Sequence, residues 1–271
     1  MNKVQYIFTA ITLLLSTILK AQSTDEQSFR KALNAELGQT SGETAINVAK
    51  TFLGKPYVGQ TLEKSPERLV CNLQQFDCYT LVENVIALTR MNNFNLSDYD
   101  IYQEMLTLMR YRGGKVDGYP SRMHYFTEWI NQAEDNGMII DMTKSWGKMS
   151  GKKIDFMSKH PNYYPAMADA KVRERIGRME SYVNQSPFFE IKKEDFNQVE
   201  SKIKNGDIIV FTSTIAGLDV NHEGLAYWQN GKLHLLHASL DYKKVMISPE
   251  TLGEYLQKIK KHQGIMVLRL L

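Results

Sequence analysis

The chain has 271 residues, with 33 Lys and Arg against 30 Asp and Glu, a formal charge of +3, and 43% apolar and 23% charged residues. That length allows one large domain or two small ones, and the composition excludes a disordered or collagen-like chain. So small a net charge leaves no footprint for a nucleic acid.

Met1-Asn2-Lys3 gives a short positive start, Val4 to Leu19 is apolar, and Lys20-Ala21-Gln22-Ser23 turns polar, with Ala21 as the last residue before cleavage. This is the layout of a secretory signal over residues 1–21. As a transmembrane anchor the run is short, and Thr9, Thr12, Ser16 and Thr17 dilute it. Removing residues 1–21 takes away Lys3 and Lys20 and leaves +3 − 2 = +1. The expected product is periplasmic or secreted, with no stable membrane insertion after signal removal. Thiols tend to be oxidised there, and the chain has two, Cys71 and Cys78. A disulfide closing a small loop is the plainest pairing, but two cysteines in so long a chain make no disulfide scaffold.

From Ser23 a helical pattern carries Phe29, Leu33 and Leu37 on one face and closes near Gly38. A second helix runs from about Gly42 through Ile46, Ala49 and Leu53 to Gly54 and Pro56. Asp77 can cap a third, with Cys78, Leu81, Val82, Val85 and Ile86 on a stripe. Ser97 or Asp98 can start a fourth, through Met109 to Gly113-Gly114, and Ser121 a fifth, through Trp129 to Gly137. Residues 138–200 read as an insertion or lid, with a charged helix from about Ala166 to Val183. Beyond them the period changes to short strands at 208–211, 224–228, 233–237, 245–247 and 265–270. Gln229-Asn230-Gly231-Lys232 is a hairpin signal between two of these. Helices first and antiparallel strands afterwards indicate an α+β fold in one domain, 22–271.

A cysteine in the first turn of a helix lies among unpaired N–H groups at the positive end of the helix dipole, which favours thiolate. Its own N–H can face the oxygen of an attacked carbonyl. A helix-stripe cysteine is also ordinary packing. His222 starts one strand and His237 closes the next, so pairing across the hairpin brings them close. One imidazole can then serve a thiol while the other fixes its tautomer. His234 belongs on the opposite face from His237. Structural hydrogen bonding is the plainer role for both histidines, and Cys with two His is also a competent zinc set.

The order of helix-start Asp77-Cys78, the strand from Asn205-Gly206-Asp207, His222-Glu223-Gly224, a hairpin and His237-Ala238-Ser239 resembles the NlpC-type papain-like cell-wall hydrolases. Three stretches, Pro56 to Glu63, Phe76 to Glu83 and Ser121 to Phe126, resemble their N-acetylmuramoyl-L-alanine amidase-like branch. Tyr79 stands where the wider superfamily often has Ser, which favours that branch. The resemblance covers roughly 42–270, although 138–200 has no recognisable counterpart. It implies a papain-like core with Cys78 as nucleophile, His222 as base and His237 as the residue orienting it.

The resemblance further implies Tyr57 as a second oxyanion donor. Arg112 and Arg122 would pair with peptide carboxylates, while His124 and Tyr125 would line the saccharide side; ordinary surface and packing roles serve these residues equally well. The implied reaction hydrolyses the bond between the lactyl group of N-acetylmuramic acid and L-alanine in peptidoglycan or anhydro-muropeptides, with no metal or other cofactor. A γ-D-glutamyl-diamino acid endopeptidase with the same triad is the alternative enzyme. The alternative outside enzymes is an inactive wall-binding module with Cys71 and Cys78 joined.

Overall fold

The computed structural model describes residues 24–271, so the expected signal segment lies outside it. Helix α1 spans 24–33, shorter than the periodicity predicts, and α2 spans Ser41–Lys50 behind a Thr40 cap. The central helix α3, Cys78–Asn93, starts at Asp77, whose carboxylate accepts from the N–H of Thr80 at 2.8 Å. The Thr80 hydroxyl accepts from the Asp77 N–H, closing a capping box. Helix α4, Tyr99–Arg110, is capped by Asp98. The fifth helix departs from expectation. Tyr119–Ser121 forms a single 3₁₀ turn, and α5 runs only over Phe126–Asp135.

The sheet is antiparallel and wider than the strand signals imply. Its main path is β2 (Lys148–Met149), β3 (Phe189–Lys192), β8 (His262–Leu270), β4 (Ile208–Ser213), β5 (Val220–Gln229), β6 (Lys232–Ser239) and β7 (Lys244–Thr251), with β1 (Ile139–Asp141) also on β8. Within residues 138–200, β1 and β3 both pair with β8 and so widen the sheet. The remaining helices are α6 (Thr143–Trp146), α7 (Phe156–Lys159), α8 (Ala170–Val183) and α9 (Leu252–Lys258).

Strand alternation divides the core between the two faces of the sheet. Ile208, Val210, Leu225, Leu236, Met266 and Leu268 pack with α2–α5. On the other face, Ile209, Phe211, Leu235, Ile265 and Val267 pack with Leu252 and Leu256 of α9. A third cluster, including Tyr119, Tyr125, Met157, Met167, Ile176 and Met179, joins the 3₁₀ turn to α7 and α8. Among the described residues no helix is long and apolar enough to cross a membrane.

Candidate active site

The hairpin at Asn230-Gly231 sets the register between β5 and β6, pairing Leu225 with Leu236 and Gln229 with Lys232. Asn230 and Gly231 both take positive φ, 51° and 74°, as a tight hairpin turn requires. Continuing the register puts His237 opposite Gly224, and a Cβ at 224 would lie 2.8 Å from the Cβ of His237. The missing side chain thus makes room for His237 rather than for a ligand. His237 lies diagonally against His222, with His222 Nε2 and His237 Nδ1 2.7 Å apart and the rings edge to face. One N–H lies between them, and Nδ1 of His222 is left over. His234 turns to the carbonyls of Ser248 and Glu250, away from the pair.

Cys78 and His222 line one cavity of about 310 Å³, with Asp77, Tyr79, Arg122 and Glu223 also on its wall. The backbone N–H groups of Glu223 and Tyr79 donate towards the Cys78 sulfur. Burial outweighs them and pushes the thiol well up, with Glu223 and Asp77 adding to the rise. The helix start therefore does not by itself make a thiolate, contrary to the sequence expectation. Burial also holds His222 well below the ordinary imidazole value, with further lowering from His237 and His262, and holds His237 at about 4. The resting state is a neutral thiol beside two neutral imidazoles. Cys71 and Cys78 are both free, and Cys71 lines a separate cavity with Phe29, Tyr99 and Gln103.

Behind Cys78, the segment Pro56-Tyr57-Val58 is held between Phe76 and Lys243 by backbone hydrogen bonds of 2.9–3.0 Å. Tyr57 is not among the residues lining the cavity of Cys78, and its hydroxyl is pushed up to about 12, first by burial and then by Cys78 and Asp77. Glu83, on α3, pairs in the core with Arg110, which also donates to the carbonyl of Val70 at 2.6 Å. That pair joins α3 to α4 beneath the site.

The remaining expected residues divide. His124 and Tyr125 line the cavity, but His124 is bonded to the Tyr119 carbonyl at 3.0 Å and held at about 3, chiefly by burial. The Tyr125 hydroxyl donates to Glu180 at 2.7 Å and accepts from the Met157 N–H at 2.8 Å. Arg122 reaches the wall but is committed to Glu63 and Glu67 at 2.7 and 3.1 Å. Arg112 is not brought to the cavity; it binds Glu128 at 2.5 Å and the Pro120 carbonyl at 2.8 Å. Neither arginine stands free for a carboxylate, because each already has an acidic partner. Sequence reasoning passed over Glu223, Asp219 and Tyr164, which also line the cavity. The position of Glu223 beside His222 was the available signal. Among the described residues no group of three or more His, Cys, Asp or Glu is placed to hold a metal ion.

Fold and site together define a mixed α+β protein whose cavity brings a thiol from a helix start to an imidazole from an antiparallel sheet. The chain belongs to the AmiA-like, N-acetylmuramoyl-L-alanine amidase-like family, whose model matches residues 47–265. It is similar to the solved N-acetylmuramoyl-L-alanine amidase from Bacteroides uniformis ATCC 8492, at 36% identity and TM-score 0.81, over 86% of this chain and 100% of that one. A Bacteroides fragilis chain whose name suggests a xylanase is 33% identical, with TM-score 0.76 over 82% of this chain and 98% of that one. A Legionella pneumophila str. Philadelphia 1 protein shares the fold at 21% identity, with TM-score 0.73 over 93% of this chain and 96% of that one. No curated protein matches.

Proposed function

We propose that this chain is an exported cysteine amidase that hydrolyses the bond between the lactyl carbonyl of N-acetylmuramic acid and L-alanine. The observation that carries the reading is the cavity holding Cys78 and His222, with His222 Nε2 turned onto His237 and Nδ1 left over. Membership of the amidase-like family and the named activity of the Bacteroides uniformis relative support the choice of bond.

Since thiol and imidazole rest neutral, the proton passes from Cys78 to His222 Nδ1 as sulfur attacks the carbonyl. The Cys78 N–H faces the developing oxyanion, and the Tyr57 hydroxyl is the second donor. The C–N bond breaks as protonated His222 gives its proton to the leaving alanine nitrogen, leaving a thioester on Cys78. Water then loses a proton to His222 and attacks that carbonyl; the C–S bond breaks and the thiol recovers its proton. His237 holds the ring of His222 at one angle and tautomer throughout. The chemistry uses no metal, so thiol alkylation stops it and chelators leave it running.

The test is mass spectrometry of products from a 1,6-anhydro-muramoyl tetrapeptide. Release of the intact tetrapeptide with a free alanine amine is expected. A cut after the second stem residue identifies an endopeptidase, cleavage of a glycosidic bond in a disaccharide form identifies a glycosidase, and no turnover identifies a wall-binding module. Each of these three overturns the reading.

A further inference from the structure

Several buried polar atoms along the wall beside Cys78 have no partner. Glu223 is 3% exposed, and its Oε2 has no hydrogen bond. The Tyr79 hydroxyl, on the same cavity, is likewise buried and unpaired. Buried polar groups without partners cost stability, so an orphan on a cavity wall points to something the cavity holds.

The charge at this wall narrows what that is. Asp77, Glu83 and Asp219 are the charged groups facing Glu223, and they add to burial in pushing its carboxyl well up. The nearby cations are already committed, Arg110 to Glu83 and Arg122 to Glu63 and Glu67. These influences favour the uncharged carboxyl of Glu223, which offers one O–H donor and a carbonyl acceptor on the wall that also carries Tyr79. An uncharged group that accepts from both hydroxyls is an amide carbonyl. The backbone N–H of Glu223 donates towards the Cys78 sulfur, so the carboxyl grows from the residue that touches the nucleophile.

We propose that Glu223 and Tyr79 form a hydrogen-bonding subsite that holds a substrate amide adjacent to the scissile one. The proposal rests on the amidase reading for its substrate. Muropeptides carry such amides on either side of the lactyl carbonyl, in the acetamido group and in the stem peptide.

The test compares Glu223→Leu, Glu223→Gln and Tyr79→Phe on one muropeptide. Leucine removes the orphan polar group, so Glu223→Leu should melt no lower than wild type. Its KM should rise about tenfold, the worth of a lost hydrogen bond to an uncharged partner, with kcat changed by less than about threefold. Glu223→Gln keeps a donor and an acceptor and should bring KM back to within about threefold of wild type. Tyr79→Phe should raise KM about threefold or more, and carries the test should Glu223→Leu fail to fold. If Glu223→Gln is as poor as Glu223→Leu, the site uses a carboxylate, as recognition of an ammonium group would require, and the proposal falls. It also falls if KM stays put in all three variants, or if kcat alone collapses. If wild type leaves the lactyl amide intact, the amidase reading fails separately. Calorimetric Kd values for the undigested muropeptide on Cys78→Ala protein, with and without Glu223→Leu, then decide the subsite alone.

Discussion

The two free thiols make an instructive pair. Both are half-buried, both line cavities, and burial pushes both up, Cys71 to about 11 and Cys78 well above its ordinary value. Arg110 and a hydrogen bond with Gln103 pull Cys71 partway back, a more favourable electrostatic setting than the acids around Cys78. The difference lies in the neighbours: the residues described around Cys71 include no imidazole, whereas the cavity of Cys78 has His222 on its wall. On the proposed mechanism, a base that can take the proton during attack matters more than a thiol already ionised.

Breaking the comparison starts with activity. Cys78→Ala should lower turnover by about 10³-fold or more, as loss of a nucleophile does, while Cys71→Ser should stay within about twofold. Steady-state rates on one muropeptide suffice, and the opposite ranking would reverse the assignment. The histidines come next. His222→Ala should cost about as much as Cys78→Ala, whereas His237→Asn should keep turnover within about 10–100-fold of wild type, since an amide can still orient the ring. Single-turnover rates with circular dichroism would separate the two; a dead His237→Asn beside an active His222→Asn would exchange their roles.

Alkylation sharpens the same contrast without substrate. Mapped by mass spectrometry at neutral pH, iodoacetamide should label Cys78 about tenfold faster than Cys71, and His222→Ala should abolish that lead. Equal rates in wild type would mean that the imidazole does not serve the thiol.

The smallest effect is on stability. Burial holds His262 at about 3, below the ordinary imidazole value, so the folded form stays neutral where the unfolded chain takes a proton. The unfolded state then binds more protons as pH falls below about 6.5, and folded stability drops by roughly 1.4 kcal/mol per pH unit until about pH 3. His262 is 3% exposed with an unpaired Nδ1, so His262→Leu should remove that slope. Chemical denaturation at pH 6.5 and 4.5 should show wild type losing ground to the variant by about 2–3 kcal/mol. Parallel changes in both proteins would show that His262 charges at its ordinary value.

Legibility in the sequence followed the range of the forces involved. The Asp77 cap, the Asn230-Gly231 turn and the histidines across it are local patterns, written within a few residues of where they act. Strands β1 and β3, three and four residues long, carry no period of their own and exist because β8 offers a free edge. The fate of Arg112 was hidden for a similar reason, since Glu128 lies on another element and the fold brings them together. Glu223 read as an ordinary strand residue until the fold surrounded it with acids and took the nearby arginines away.

The hairpin that joins the two histidines also orders the birth of the site in time. His222 and His237 are only 15 positions apart and meet through a short turn, so their pairing is a local folding event. Cys78 lies 222 − 78 = 144 positions from His222, and the two meet only when α3 has docked on the finished sheet. Closing so long a loop belongs to late folding. On the proposed mechanism, a chain still emerging or only partly collapsed therefore contains a thiol and a histidine pair but no complete centre, and assembly itself is the safety catch.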